Sequence, residues 1–274
     1  MPLFVVATPI GNLEDLSSRA RRVLGEVDAI LAEDTRHTRV LLDAIGVRKP
    51  LRAFHDHSTD TVVKRVVDEL VAGATLAIVS DAGTPCVSDP GYELVRAARE
   101  AGVEVIPIPG ASSVVAFLSA AGLPSDRFTF MGFAPRSEGQ RRELLAAWMF
   151  RDTTLVFLES PKRVADLLAS IGEIDGSREV VTGRELTKLH ESFVRGTASS
   201  VLAQLTETGG LRGEFVVGIA PGPEPVAGEG DVEAWIEALC ATTLSTRDIA
   251  ALVSSRLSKP KDDIYRRVLA RRKP

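Results

Sequence analysis

The chain has 274 residues, 26% of them charged and 45% hydrophobic, with a formal net charge of −4. This length leaves room for two domains with real cores, and the balance is that of an ordinary globular protein. Net negative charge argues against a protein that coats nucleic acid unselectively, and no apolar run approaches the length of a membrane span. Leu3 to Ala7 is too short and poorly flanked for a signal peptide. Cys86 and Cys240 show no metal-ligand spacing and read as small buried hydrophobes in a reducing compartment, so the expected location is cytoplasmic.

In chain order, strands are expected at Leu3–Ala7, Ala29–Glu33, Leu51–Phe54, Thr75–Ser80 and Val103–Pro107, with helical patterns between them. The clearest helical stripe is Val62, Val63, Val66, Val67, Leu70 and Val71. Such alternation implies parallel strands with helices on both faces. Polar or glycine-bearing loops follow these strands: Thr8–Asp15, Asp34–Thr38, Val79–Gly91 and Ile108–Ser113. Gly83 lacks a Cβ and lets the backbone approach a ligand. Asp89 is placed to cap the next helix, with Pro90 in its first turn. One glycine in Thr8–Asp15, where a dinucleotide fingerprint needs three, argues against a nicotinamide cofactor. Asp34 to Thr38 are poor core material and good site material, though Asp34 or Thr35 capping a helix, with Arg36 paired to a carboxylate, is the plain alternative. Loops gathered at one sheet edge make a cleft that none makes singly.

Beyond Gly122–Asp126 the rhythm changes. Strands are expected at Phe128–Met131, Thr154–Leu158, Glu179–Thr182 and Phe215–Ile219, with helices around 139–149, 161–171 and 198–207. The Arg212-Gly213-Glu214 turn suggests antiparallel pairing, so this half reads as α+β. Glu159–Arg163 and Gly183–Lys188 form a second set of strand-end loops, and Lys188 reads as a solvated helix start. The expected domains are thus 1–124, with a parallel sheet, and 125–222, followed by a linker at 223–230. Residues 231–274 form a basic helical segment with helices at 231–241, 246–257 and 261–271. That segment carries Lys259, Lys261, Arg266, Arg267, Arg271, Arg272 and Lys273 against Asp262 and Asp263, which suggests one polyanion engaged at one place. Its last two helices weakly suggest a helix-turn-helix, with Ser245 or Thr246 as a cap. His55-Asp56-His57 lacks further ligands, and a metal site is not expected.

Taken together, Thr8–Asp15, Ala32–Thr38, His55–Ser58, Val79–Gly91, Pro107–Ser113, Gly122–Arg127, Thr154–Arg163 and Arg184–Lys188 resemble the small-subunit ribosomal RNA methyltransferase I family. This is a cytidine 2′-O-methyltransferase family of the tetrapyrrole methylase superfamily. The resemblance implies an α/β fold of two domains with S-adenosylmethionine in the cleft between them. It also implies a homodimer acting on small-subunit ribosomal RNA or the assembled 30S subunit. Its cofactor motifs fall on Pro9, Ala82, Gly83, Thr84, Val87, Ser112, Ser113, Glu159 and Leu186, with Gly218, Ile219 and Ala220 near the adenine. Ser58 stands where the family has asparagine, and Lys162 stands where it has histidine.

Methyl transfer from a sulfonium is an in-line displacement that needs neither metal nor covalent intermediate. A ribose hydroxyl is a poor nucleophile, so positioning, worth roughly 7–11 kcal/mol in favourable cases, should outweigh a general base at ~10²–10⁴-fold. Asp34 or His55 is expected to assist deprotonation while Arg36 holds a phosphate, with His37 a weaker candidate base. The alternatives are a methylase acting on a tetrapyrrole and a non-catalytic RNA-binding assembly factor.

Overall fold

The computed structural model describes residues 1–55, 59–222, 229–240, 245–257 and 259–272. The chain divides into two compact units, residues 1–149 with 153–220, and residues 150–152 with 221–274. Among the described residues, ten strands form two five-stranded sheets, both in the larger unit.

The first sheet contains β1 (Leu3–Val6), β2 (Ala29–Ala32), β3 (Leu51–Ala53), β4 (Leu76–Val79) and β5 (Val105–Ile108). Its order is β3-β2-β4-β1-β5, and every pairing is parallel. Strands β2 and β4 are buried along their whole length, which is why they read as continuous apolar runs rather than alternating ones. Helices α1 (Ser18–Glu26) and α2 (Thr35–Ala44) pack on one face, and α3 (Asp60–Val71) and α4 (Tyr92–Glu100) on the other. On α3 the buried stripe is Val63, Val66, Val67 and Leu70, while Val62 and Val71 are exposed. The helix after the long loop starts later than the sequence suggests. Gly91, at φ +123°, is its N-cap rather than Asp89, and it gives no side-chain cap. The N–H of Cys86 donates to the carbonyl of Pro90 at 3.3 Å, closing the loop upon itself before the helix begins.

The second sheet contains β6 (Phe128–Phe133), β7 (Thr154–Glu159), β8 (Glu179–Arg184), β9 (Ser192–Thr197) and β10 (Phe215–Ile219), ordered β6-β7-β10-β8-β9. Strand β6 runs parallel to β7 across a register shift between Phe130 and Gly132, and the other pairs are antiparallel. Helices α6 (Glu138–Trp148), α7 (Val164–Ile174) and α8 (Ala198–Glu207) cover one face. The other face takes α5 (Ser113–Ala121), the helix that follows β5, so an element of the first half completes the core of the second sheet. Phe117 of α5 lies over Gly183 and Gly218, where a Cβ would come within 2.8 and 2.6 Å of its ring. These glycines open the seat that admits the aromatic ring.

In the smaller unit, α9 (Glu229–Cys240), α10 (Thr246–Leu257) and α11 (Lys261–Arg272) bury Val232, Ile236, Ile249, Val253, Ile264 and Val268 against one another. Helix α9 begins at 229, inside the stretch expected to be a linker, whose residues 223–228 lie outside the described ones. Ser245 caps α10, accepting the N–H of Asp248 at 3.1 Å. Arg266, Arg267 and Arg271 pair with Asp263, Glu233 and Glu237, so much of the expected basic surface is met by carboxylates of its own unit. Lys273 lies outside the described residues.

Candidate active site

The loops after β1, β4 and β5 meet at the carboxyl edge of the first sheet. Thr8 and Gly83 exchange backbone hydrogen bonds at 2.8 and 3.1 Å, and Thr8 Oγ1 donates to the carbonyl of Ser80 at 3.2 Å. Thr84 Oγ1 donates to the carbonyl of Ala111 at 3.2 Å, which ties in the third loop. Strands β1 and β4 are neighbours, yet α1 and α4 lie on opposite faces of the sheet. Divergence of adjacent connections leaves a crevice at the strand ends, where open α/β sheets bind ligands. Ser112 is the N-cap of α5, and its hydroxyl makes no cap hydrogen bond.

Among the described residues, four non-glycine positions have positive φ: Cys86, Ser88, Glu185 and Thr187. Two belong to the loop after β4 and two to the loop after β8, which faces it from the second sheet. Conformations of this kind cost of order 1–3 kcal/mol each and persist where surrounding structure over-determines them. The loop after β1 meets the loop after β8. A Cβ on Gly11 would lie within 3.0 Å of Lys188, Thr187 and Leu186, so the first loop can close on the second sheet only with glycine there.

A cavity of about 380 Å³ lies between these walls. Ala82, Gly83, Thr84, Val87, Ser112 and Ser113 line it from the first sheet. Phe130, Phe133, Leu158, Glu159, Leu186 and Val216 line it from the second. A second cavity of about 290 Å³ shares Ile10, Ala82 and Glu214 with the first and extends along Pro9, Gly11, His37, Thr38, Asp81 and Lys188.

Glu159 is buried and accepts hydrogen bonds from the N–H groups of Ser160 at 3.0 Å and Ala134 at 3.2 Å, and from Arg163 at 2.8 Å. Burial pushes its carboxyl up, against the opposing pull of those donors. Lys188 bridges Glu185 at 3.0 Å and Glu214 at 2.9 Å. Burial disfavours its charge, but the two carboxylates more than offset this and raise the ammonium above its ordinary value. Asp34 accepts the N–H of Arg36 at 2.8 Å as the α2 cap and pairs with the same residue's guanidinium at 2.7 Å. Hydrogen bonding to Arg36 holds the carboxyl far below the usual carboxylate range. The N–H of Asp34 donates to Asp81 at 3.1 Å, joining this turn to the loop after β4.

The larger cavity therefore gathers Ala82, Gly83, Thr84, Val87, Ser112, Ser113, Glu159 and Leu186. Pro9 lines the second cavity instead. Gly218, Ile219 and Ala220 stand elsewhere. Gly218 receives Phe117 and Leu123, Ile219 is buried on the α6–α8 side, and Ala220 packs beside the α5 core. Residues nearer the start of β10, Phe215 and Val216, line the cavity. The side chain of Arg36 is 90% exposed, and His55 is exposed just beyond β3. His57 and Ser58 lie outside the described residues. Asp34 with Arg36 follows the plain alternative of a capped helix and a local ion pair. Lys188, read from sequence as a solvated helix start, is a wall of the second cavity. Sequence reasoning missed Asp81, Phe130, Phe133 and Glu214. The adjacency of Asp81 to Gly83 on one short loop is the signal that could have found it. Cys86 and Cys240 are free and partly exposed rather than buried.

The family model of Tetrapyrrole (Corrin/Porphyrin) Methylases matches residues 2–202. Curated proteins called ribosomal RNA small subunit methyltransferase I are similar over nearly the whole chain. The one from Xylella fastidiosa (strain Temecula1) is 43% identical, covering 96% of this chain and 97% of its own. The one from Pseudomonas aeruginosa is 41% identical, covering 98% and 97%. Among solved structures, uroporphyrin-III C-methyltransferase from Thermus thermophilus complexed with S-adenyl homocysteine shares the fold. Its TM-score is 0.56 at 19% identity, covering 80% of this chain and 97% of that one. Diphthine synthase matches with a TM-score of 0.59 at 16% identity, covering 80% and 90%.

Proposed function

The chain belongs to the tetrapyrrole methylase family, within its ribosomal RNA small subunit methyltransferase I branch, and from that membership we infer that it transfers a methyl group to a ribose 2′-hydroxyl of a cytidine in small-subunit ribosomal RNA. It is an S-adenosylmethionine-dependent methyltransferase. The residues of the larger cavity suit that donor. Phe130, Phe133, Leu158, Leu186 and Val216 offer an apolar wall for adenine, and Ser112 and Ser113 offer hydroxyls and helix-start N–H groups for a carboxylate or ribose. Gly83 leaves the backbone open to close approach. When bound, the sulfonium supplies an electrophilic methyl group.

The chain's own part is to present an oxygen to that methyl and to remove a proton. The observation that carries the reading is that two neighbouring cavities share Ile10, Ala82 and Glu214 as walls, one suited to the donor and one to the acceptor. Arg36, exposed and anchored by Asp34, is the phosphate contact beside them. A carboxylate held as an ion by its own arginine is a weak base, so deprotonation falls to a histidine, His55 beyond β3 or His37 at the wall of the second cavity, and Asp34 sets the position of Arg36. A homodimer would cover the exposed apolar side chains Phe128 and Phe133 on edge strand β6.

The test is transfer of labelled methyl to small ribosomal subunits and to free small-subunit RNA, followed by digestion to nucleosides. Label on 2′-O-methylcytidine is expected. Label on a base, on another nucleoside or on neither substrate would refute the reading.

A further inference from the structure

The geometry points to the second cavity as the acceptor nucleoside's own seat, with Thr38 as the residue that positions it; this rests on the reading of the protein as a ribosomal RNA methyltransferase. Thr38 is 2% exposed and lines the cavity. Its hydroxyl is buried with no hydrogen-bond partner. A helical threonine commonly returns its hydroxyl to the carbonyl one turn back, and this one does not. A buried unmet polar group is costly, and because this hydroxyl is closed to solvent it meets a partner arriving in the cavity by turning to its other helical rotamer.

The charge of the walls selects the kind of partner. Asp81 and Glu214 line the cavity against Lys188, whose ammonium is already taken by Glu185 and Glu214. Such walls disfavour a phosphate inside and suit a neutral group rich in donors, as a nucleoside is. A carboxylate is a natural acceptor for the amino group of cytosine, and a base splayed from its strand exposes that edge. The phosphates then remain outside, beside Arg36. Because Ile10 and Ala82 border both cavities, the seated sugar lies next to the donor.

The experiment compares wild type, Thr38→Val and Thr38→Ser, measuring methyl transfer to small ribosomal subunits, donor affinity by calorimetry and urea midpoints. Valine should raise KM for the subunit roughly three- to tenfold, the worth of about one neutral hydrogen bond. Donor affinity should be unchanged, and the urea midpoint equal or higher, because an unmet hydroxyl has been removed. Serine should restore KM. An unchanged KM in Thr38→Val, or an equal loss of donor affinity, would overturn the seat while leaving the functional reading intact. Donor binding by the wild type without transfer to subunits or RNA would overturn the functional reading itself, and the seat with it.

Discussion

Two glycines of the loop after β4 should separate stability from donor binding. Both have positive φ, +84° at Gly83 and +123° at Gly91, so alanine is strained at either. Their surroundings differ. At Gly91 a Cβ would lie 2.8 Å from Ile78 Cδ1 and 2.9 Å from Cys86 Sγ, inside the core under the loop. At Gly83 the nearest atoms are Ile10 Cγ2 at 3.4 Å and the Ala111 carbonyl at 3.8 Å, which is ordinary contact, and the residue lines the larger cavity. Gly83→Ala thus carries mainly the backbone term, roughly 1–2 kcal/mol. Gly91→Ala adds about 1–3 kcal/mol of overpacking to about 1–3 kcal/mol of strain, together some 2–6 kcal/mol. With a urea slope near ~3 kcal/mol/M, the midpoint should fall by about 0.7–2 M for Gly91→Ala and by about 0.3–0.7 M for Gly83→Ala. Calorimetry should rank them the other way, with Gly83→Ala losing more donor affinity because its methyl intrudes on the cavity. Equal midpoints, or donor affinity lost only in Gly91→Ala, would refute the division of roles between these positions.

Gly218→Ala should lower stability by about 1–3 kcal/mol through its clash with Phe117 and Leu123, and should leave donor affinity intact; weakened donor binding in a fully stable variant would restore the adenine contact that the family resemblance implies. Lys259→Gln and Lys261→Gln spare the paired arginines of α11, and each should reduce the salt slope of RNA binding by about one if it meets a phosphate; an unchanged slope removes the smaller unit from RNA contact. Burial raises the Glu159 carboxyl above its ordinary 4.5, so the stability it lends at low pH is lost as pH climbs through the folded value. Glu159→Gln removes that loss, and urea midpoints taken from about pH 5 to pH 7 should rise more, or fall less, than in wild type; parallel curves would show that burial does not govern this group. Asp34→Asn keeps a good N-cap and should slow single-turnover transfer less than tenfold, below the ~10²–10⁴ expected of a lost general base; a hundredfold loss would make Asp34 the base.

The strand-and-helix alternation of the first half was legible because β2 and β4 are buried on both faces and α3 carries a strict stripe. Strand β9 was not, because Ser192–Thr197 is a half-buried edge holding Arg195 and Gly196, with no apolar run to announce it. The lining of the larger cavity was legible at Gly83, Ser112 and Ser113 from the loops' glycine and hydroxyls, and at Ala82 and Thr84 through the family resemblance. It was illegible where purpose comes from the second sheet. Phe130 fell within an expected strand and Phe133 beyond its expected end, and β6, which shifts register between Phe130 and Gly132, brings both to the cavity. Gly218 shows the ambiguity of glycine: a missing Cβ admits a ligand or a neighbouring side chain equally well, and Phe117 lies where its Cβ would stand.

The strained positions explain why this site needs two sheets. Cys86 and Ser88 bend the loop of the first, Glu185 and Thr187 bend the loop of the second, and Thr187 lies against Gly11. Neither loop would keep such backbone angles alone, since each strained residue costs of order 1–3 kcal/mol. The core around α5 supplies the opposing term, because Phe117 seated over Gly183 and Gly218 anchors the helix that follows β5 on the second sheet. Loosening that seat should therefore be felt in the loops before it is felt in either sheet. It follows that residues with no contact to donor or acceptor, Phe117 first among them, set how well the two cavities meet.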